Sequence, residues 1–180
     1  DSQLEMANLI EEGFCNNKHV VVEAGTGIGK SFAYLAPAFN LCHEHQEKRV
    51  IIATSTITLE RQLYDKDIPL IKQALNLDIP TAILFGRNNY LCRRRYEEAY
   101  MERALLTTDP DIPEAKLDEW VKNTETGCRA DAPPHVARFM DNLLADSEDC
   151  MGYKCPHYEN CFFYNARRAA QKAQIVVTNH

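Results

Sequence analysis

Apolar side chains over the first 85 residues recur either every three or four positions or in short unbroken runs. Met6, Leu9, Ile10 and Phe14 fall at helical spacing with Glu11 and Glu12 outward, which predicts an amphipathic helix over residues 3–16. The run His19-Val20-Val21-Val22 has the β-branched density of a fully buried strand. Residues 30–45 read as a helix in which Pro37 should cause a kink or remove one backbone hydrogen bond. A second buried strand is expected at 49–54, around Val50-Ile51-Ile52-Ala53, making a βαβ unit with a right-handed crossover. A helical pattern over 56–74, interrupted near Pro69, leads to a third strand at 81–85.

From Gly86 the character changes. No strand is predicted between 87 and 164, where cysteines and aromatics accumulate and Asp109-Pro110 and Pro133-Pro134 break helices. Periodicity resumes with a basic helix at 165–173 and a strand, Gln174-Ile175-Val176-Val177, before Thr178-Asn179-His180. The pattern predicts an α/β parallel-sheet domain in two pieces, 1–86 and 165–180, interrupted by an insertion at 87–164.

The turn after Val22 carries the first chemistry. In Ala24-Gly25-Thr26-Gly27-Ile28-Gly29-Lys30-Ser31 the glycines let successive N–H groups point at phosphate oxygens, and the following helix adds its positive end. Lys30 is expected to reach the β and γ phosphates of ATP, and the Ser31 hydroxyl to ligate Mg²⁺. Ala24 stands where the strict motif has glycine; the rest of the pattern is present. Hydrolysis also needs an acid at another strand end. No hydrophobic-Asp-Glu sequence follows the strands ending near Thr54, Phe85 or Thr178.

Composition changes the picture little. With 45% hydrophobic and 26% charged residues among 180, the chain reads as an ordinary globular protein. No apolar stretch approaches a membrane span and the start has no secretory pattern, so a soluble, cytoplasmic protein is expected. A net charge of −6 argues against coating nucleic acid by charge alone, yet Arg87, Arg93, Arg94, Arg95 and Arg103 cluster locally while 109–125 is acid-rich.

Seven cysteines without an export signal favour metal or redox use over disulfides. Cys15 and Cys42 lie in apolar helical patterns and are expected to be buried small hydrophobes; Cys128 is also set apart from the rest. Cys92, Cys150, Cys155 and Cys161 remain, with 57, four and five residues between them. Four thiolates hold either a [4Fe–4S] cluster or a zinc ion, and the wide spacing suits a cluster better than the close pairs typical of zinc. His157 is a further ligand only in the zinc reading, and a hydrogen-bonding histidine otherwise.

With the phosphate loop and Gly86-Arg87-Asn88-Asn89-Tyr90-Leu91-Cys92 both in view, the chain resembles the XPD-like superfamily 2 DNA helicases, and among them the bacterial DinG type. Gln3 matches a glutamine that serves the nucleotide, Ala53-Thr54-Ser55-Thr56 the next helicase motif, and Val176 to His180 the run before the acidic box. The resemblance implies part of a RecA-like motor domain with an iron–sulfur insertion, ATP and Mg²⁺ as cofactors, and 5′ to 3′ movement. Its expected partners are single-stranded, forked or duplex DNA and RNA–DNA hybrids, with the protein acting as a monomer. It also implies an N-terminal fragment that lacks the acidic box and does not hydrolyse ATP alone. Thr54, Ser55, Arg87, Arg93 and Arg94 are the expected DNA contacts, with Arg95, Lys154, Arg167 and Arg168 extending a basic path and Tyr90, Tyr153, Phe162 and Phe163 available for stacking. The alternatives are a zinc-stabilised ATP-binding scaffold without translocase activity and a small-molecule NTP enzyme. No Gly-x-Gly-x-x-Gly with a downstream acid supports the latter.

Overall fold

The computed structural model describes residues 2–25, 27, 29–106 and 115–179. In chain order the elements are α1 (Ser2–Asn16), α2 (Lys30–Glu44), β1 (Val50–Thr54), α3 (Ile57–Gln62), α4 (Ile68–Leu75) and β2 (Thr81–Leu84). There follow α5 (Arg93–Leu106), α6 (Ala115–Asn123), α7 (Pro134–Ala137), α8 (Phe162–Lys172) and β3 (Ile175–Asn179). Two compact units emerge: Asp1–Leu84 with Ala170–His180, and Phe85–Ala169.

The first unit is built on a three-stranded parallel sheet in the order β1-β3-β2, consistent with part of a RecA-like fold. Ile175 of β3 aligns with Val50 on one side and Thr81 on the other. A continuous apolar run suits that central place, since both faces are covered. Ile175 and Val177 enter a core with Leu35, Phe39 and Cys42 of α2 and with Leu63, Ile68 and Ile71. Val176 points the opposite way, onto Ala82, Ala170 and Ala173.

Two expected strands differ. Residues 19–22 form no strand: Val21 is 97% exposed, and no strand of the described residues pairs with this segment. A β-branched run has strand propensity, but a strand needs a ladder partner. For the same reason β1 is an edge strand, with Ile51 71% exposed instead of buried.

Helix α2 runs through Pro37, which costs the Ala33 carbonyl its helical donor without ending the helix. The predicted break near Pro69 is instead a π turn, Leu63–Asp67, joining α3 to α4. That widened turn sits directly before Pro69, whose ring would collide with the i−4 carbonyl of a regular helix. Thr56 caps α3, its hydroxyl accepting from the Leu59 amide at 3.2 Å.

Glu60 on α3 is fully buried and neither carboxylate oxygen has a partner. Burial pushes its pKa up to about 7, against the opposing charge of Arg61. The folded state therefore holds this proton to higher pH than the unfolded chain does. Its stability is complete below about pH 4.5, declines as pH rises towards 7, and stays reduced above it. Between pH 5 and 8 this group should cost about 2–3 kcal/mol of unfolding free energy. Urea titrations at the two pH values should show a correspondingly flatter response for Glu60→Gln, and equal slopes would refute the assignment.

Among its described residues the second unit has no sheet, only isolated antiparallel bridges Tyr90↔Cys128 and Leu91↔Leu144. Tyr90, Leu91, Leu117, Val121, Cys128, Val136, Met140 and Phe162 are among its buried residues. Helix α5 meets α6 through polar groups: the Tyr96 hydroxyl donates to Asp118 at 3.0 Å, and Arg103 pairs with the same carboxylate. Gly127, at φ 57°, has the Phe162 ring where a Cβ would sit, 2.2 Å away, so only glycine lets that ring seat. Among the described residues no helix is long and apolar enough to cross a membrane.

Candidate functional site: a phosphate loop and a thiol recess

Helix α2 begins at Lys30 because Gly29, at φ 77°, turns the chain through the left-handed region. The Gly29 carbonyl receives the Phe32 and Ala33 amides and the Gln3 side-chain amide, at 3.1, 3.2 and 3.0 Å. Gln3 thus binds α1 to the loop, and a Cβ on Gly29 would lie 2.3 Å from Gln3 Nε2. Lys30 Nζ donates to the Ala24 and Gly25 carbonyls at 2.9 and 2.8 Å. An ammonium held over neutral carbonyls at a helix N-terminus can exchange them for phosphate oxygens at little conformational cost. Gly27 takes φ 85°, and Ser31 is hydrogen-bonded to Tyr34, whose phenol burial pushes up in pKa. Thr26 and Ile28 lie outside the described residues, as does His180.

Further along the first unit, Thr54 is buried and its hydroxyl donates to the Thr56 carbonyl at 3.0 Å. Ser55 is exposed. Any phosphate contact at this strand end therefore falls to Ser55 and not to the Thr54 hydroxyl.

In the second unit Cys92, Cys150, Cys155 and Cys161 line one recess, together with Arg94, Tyr158 and Phe163. Cys92 precedes α5, its carbonyl accepting from the Tyr96 amide at 2.9 Å, and Cys161 precedes α8 in the same way, accepting from Asn165 at 2.8 Å. Burial pushes the Cys161 thiol up; the Tyr164 and Phe163 amides oppose this, and Cys92 and Cys150 reinforce it. Thiolates gathered in one recess need a shared positive centre to offset their like charges. Among the described residues no three His, Cys, Asp or Glu side chains close on a point that would hold a single metal ion. His157 is turned away to an ion pair with Glu97 at 2.8 Å. Cys42 and Cys128 are buried as packing residues, whereas Cys15 is exposed, contrary to its apolar surroundings in sequence.

The arginines and aromatics need the larger correction. Arg87 lies 4.5 Å from the Phe163 ring centroid, and Arg93 lies 4.0 Å from that of Phe162. Arg93, Arg94 and Arg95 are each bonded to protein groups: to the Asn160 carbonyl, to Glu98 and to Asp149. Tyr90 and Phe162 are buried and cannot stack on bases; Tyr153, 79% exposed, can. Lys154 and Arg167 are exposed, and Arg168 is bonded to the Glu159 carbonyl. Sequence reading passed over Asp149, although an acid beside a cysteine and far from its arginines was the available signal.

The DEAD/DEAH box helicase family matches residues 1–114. The chain belongs to that family. It is 37% identical over 185 residues to the ATP-dependent DNA helicase YoaA of Haemophilus influenzae, covering 99% of this chain and 27% of that protein. Against the ATP-dependent helicase DinG of Mycobacterium tuberculosis H37Ra, identity is 36% over 201 residues, covering 99% of this chain and 30% of the relative. YoaA of Escherichia coli is 35% identical over 185 residues, 100% and 28% respectively. The chain thus spans less than a third of the length of these relatives, and it is similar to the DinG type of helicase over nearly its whole extent.

Proposed function

We propose that this chain is part of an ATP-dependent DNA helicase that moves 5′ to 3′ on single-stranded DNA and separates duplexes. The observation that carries the reading is the convergence of four cysteines from 92 to 161 on one recess, in a unit that interrupts the sheet carrying the phosphate loop. In this reading Lys30 and the loop amides bind the phosphates of ATP, Ser31 ligates Mg²⁺, and Gln3 holds the loop against α1. Cys92, Cys150, Cys155 and Cys161 would hold a [4Fe–4S] cluster, which when bound supplies a rigid cross-link between distant parts of the insertion. The wide spacing of the four cysteines along the chain suits a polynuclear group better than the close pairs typical of zinc.

Hydrolysis and translocation belong to the whole protein, of which the 180 residues are about a third or less by comparison with relatives. The 180 residues alone, whose one hydrophobic-Asp-Glu sequence, Leu117-Asp118-Glu119, lies in α6 and not at a strand end, should bind nucleotide but not turn it over. Ser55, Lys154, Arg167 and Tyr153 are the exposed groups offered to DNA, the first three to phosphates and the last to bases. Full-length protein with ATP and Mg²⁺ should displace a strand from partial duplexes carrying a 5′ single-stranded tail and not a 3′ tail. Displacement from the 3′-tailed duplex alone, or from neither, would overturn the proposal.

A further inference from the structure

Three consecutive arginines follow Cys92, and each reaches a residue that immediately precedes a distant cysteine. Successive helical residues point about 100° apart, so the three guanidiniums at the start of α5 fan out to different segments. Arg93 Nε donates to the Asn160 carbonyl at 2.7 Å, one residue before Cys161, while its guanidinium covers the Phe162 ring just after it. Arg95 pairs with the Asp149 carboxylate, one residue before Cys150, and donates to the Leu144 carbonyl at 2.9 Å. Arg94 donates to the Asp149 carbonyl at 3.3 Å and is anchored from the other side by Glu98 at 2.8 Å. The Cys92 amide itself donates to the Leu143 carbonyl at 2.8 Å, so Cys92, Arg94 and Arg95 grip one stretch, 143–149, together, while Arg93 holds the stretch before Cys161.

The geometry points to Arg93, Arg94 and Arg95 as positioning residues of the thiol site, with Asp149 as the common anchor of Arg94 and Arg95, and not as contacts to DNA. This rests on the reading that Cys92, Cys150, Cys155 and Cys161 together hold a cluster. Thiolates brought together without such ties repel one another, and a set fixed in advance binds its metal without that ordering cost. The charge of Arg94 adds to this, since its always-ionised guanidinium lines the same recess as Cys92 and Cys155. Guanidinium groups that already have carbonyl and carboxylate partners also have fewer N–H groups left for phosphate oxygens.

The sign of the effect of Asp149→Asn decides the matter. Full-length protein purified without oxygen is compared with Arg95→Gln, Asp149→Asn, the double variant and Arg95→Lys. Two readouts are followed: the rate at which visible absorption bleaches under bathophenanthroline, and affinity for a fluorescent oligothymidine. If the pair positions the thiols, Arg95→Gln and Asp149→Asn each speed bleaching about fivefold, the double variant bleaches no faster than the worse single one, and Arg95→Lys recovers part of the loss. Oligothymidine affinity of the iron-loaded variants then stays at the wild-type value. If Arg95 instead contacts DNA, bleaching is unchanged, affinity falls in Arg95→Gln and rises in Asp149→Asn, and the proposal is overturned. A wild-type protein that contains zinc would remove the iron–sulfur reading alone; the same variants would then be scored by zinc release to a chromogenic chelator, and unchanged release would overturn the positioning role.

Discussion

Replacing Lys30 by alanine should lower DNA-stimulated ATP hydrolysis by the full-length protein about 10³-fold. The lysine begins α2, where the helix has amides without intrahelical partners, and its ammonium already rests on the Ala24 and Gly25 carbonyls. Charge that develops on a transferring phosphoryl group is met there by one cation and several fixed N–H dipoles, so the cation cannot be replaced by solvent without loss. The ammonium bonds only those two loop carbonyls among the described residues, so the fold should survive and thermal melting should move little. Phosphate release measured with and without single-stranded DNA checks this. Turnover within tenfold of wild type in Lys30→Ala would mean that the loop does not bind the phosphates.

The second large effect is at Cys155. Serine is nearly the same size but a poor partner for iron, so Cys155→Ser should lose bound metal and unwinding while keeping nucleotide affinity within about threefold, because the phosphate loop lies in the other unit. Cys155 sits in a stretch whose local bonds are short turns, the Cys155 amide to the Gly152 carbonyl at 3.1 Å and the Tyr158 amide to the Cys155 carbonyl at 3.0 Å. No helix or strand would hold this stretch once a ligand is gone. Strand displacement and binding of a fluorescent ATP analogue, measured side by side, separate the two functions. Full unwinding by an iron-free variant would show that the thiol site is dispensable.

Much of this was legible in the sequence, for local reasons. The central strand β3 announces itself because burial on both faces demands an unbroken apolar run, and the phosphate loop because its chemistry demands glycines, a lysine and a hydroxyl in fixed order. What was not legible depends on partners. Val20 and Val21 look like a buried strand, but nothing in their own residues says whether a neighbour is present. Arg93 to Arg95 look like a solvated basic run because their partners, Glu98 apart, lie 49 to 67 positions away in sequence. Tyr90 and Phe162 look available to bases, yet one is wedged between Phe85 and Phe163 and the other under Gly127 and Arg93. The π turn before Pro69 was visible as an interruption, though not as a widening that keeps α3 and α4 joined.

The account stands or falls on what the four thiols hold. Metal and acid-labile sulfide should be measured on anaerobically purified full-length protein, with Cys155→Ser alongside. The account predicts about four iron and about four sulfide per wild-type chain with broad visible absorption, and neither in the variant. One zinc per chain with no sulfide would contradict it.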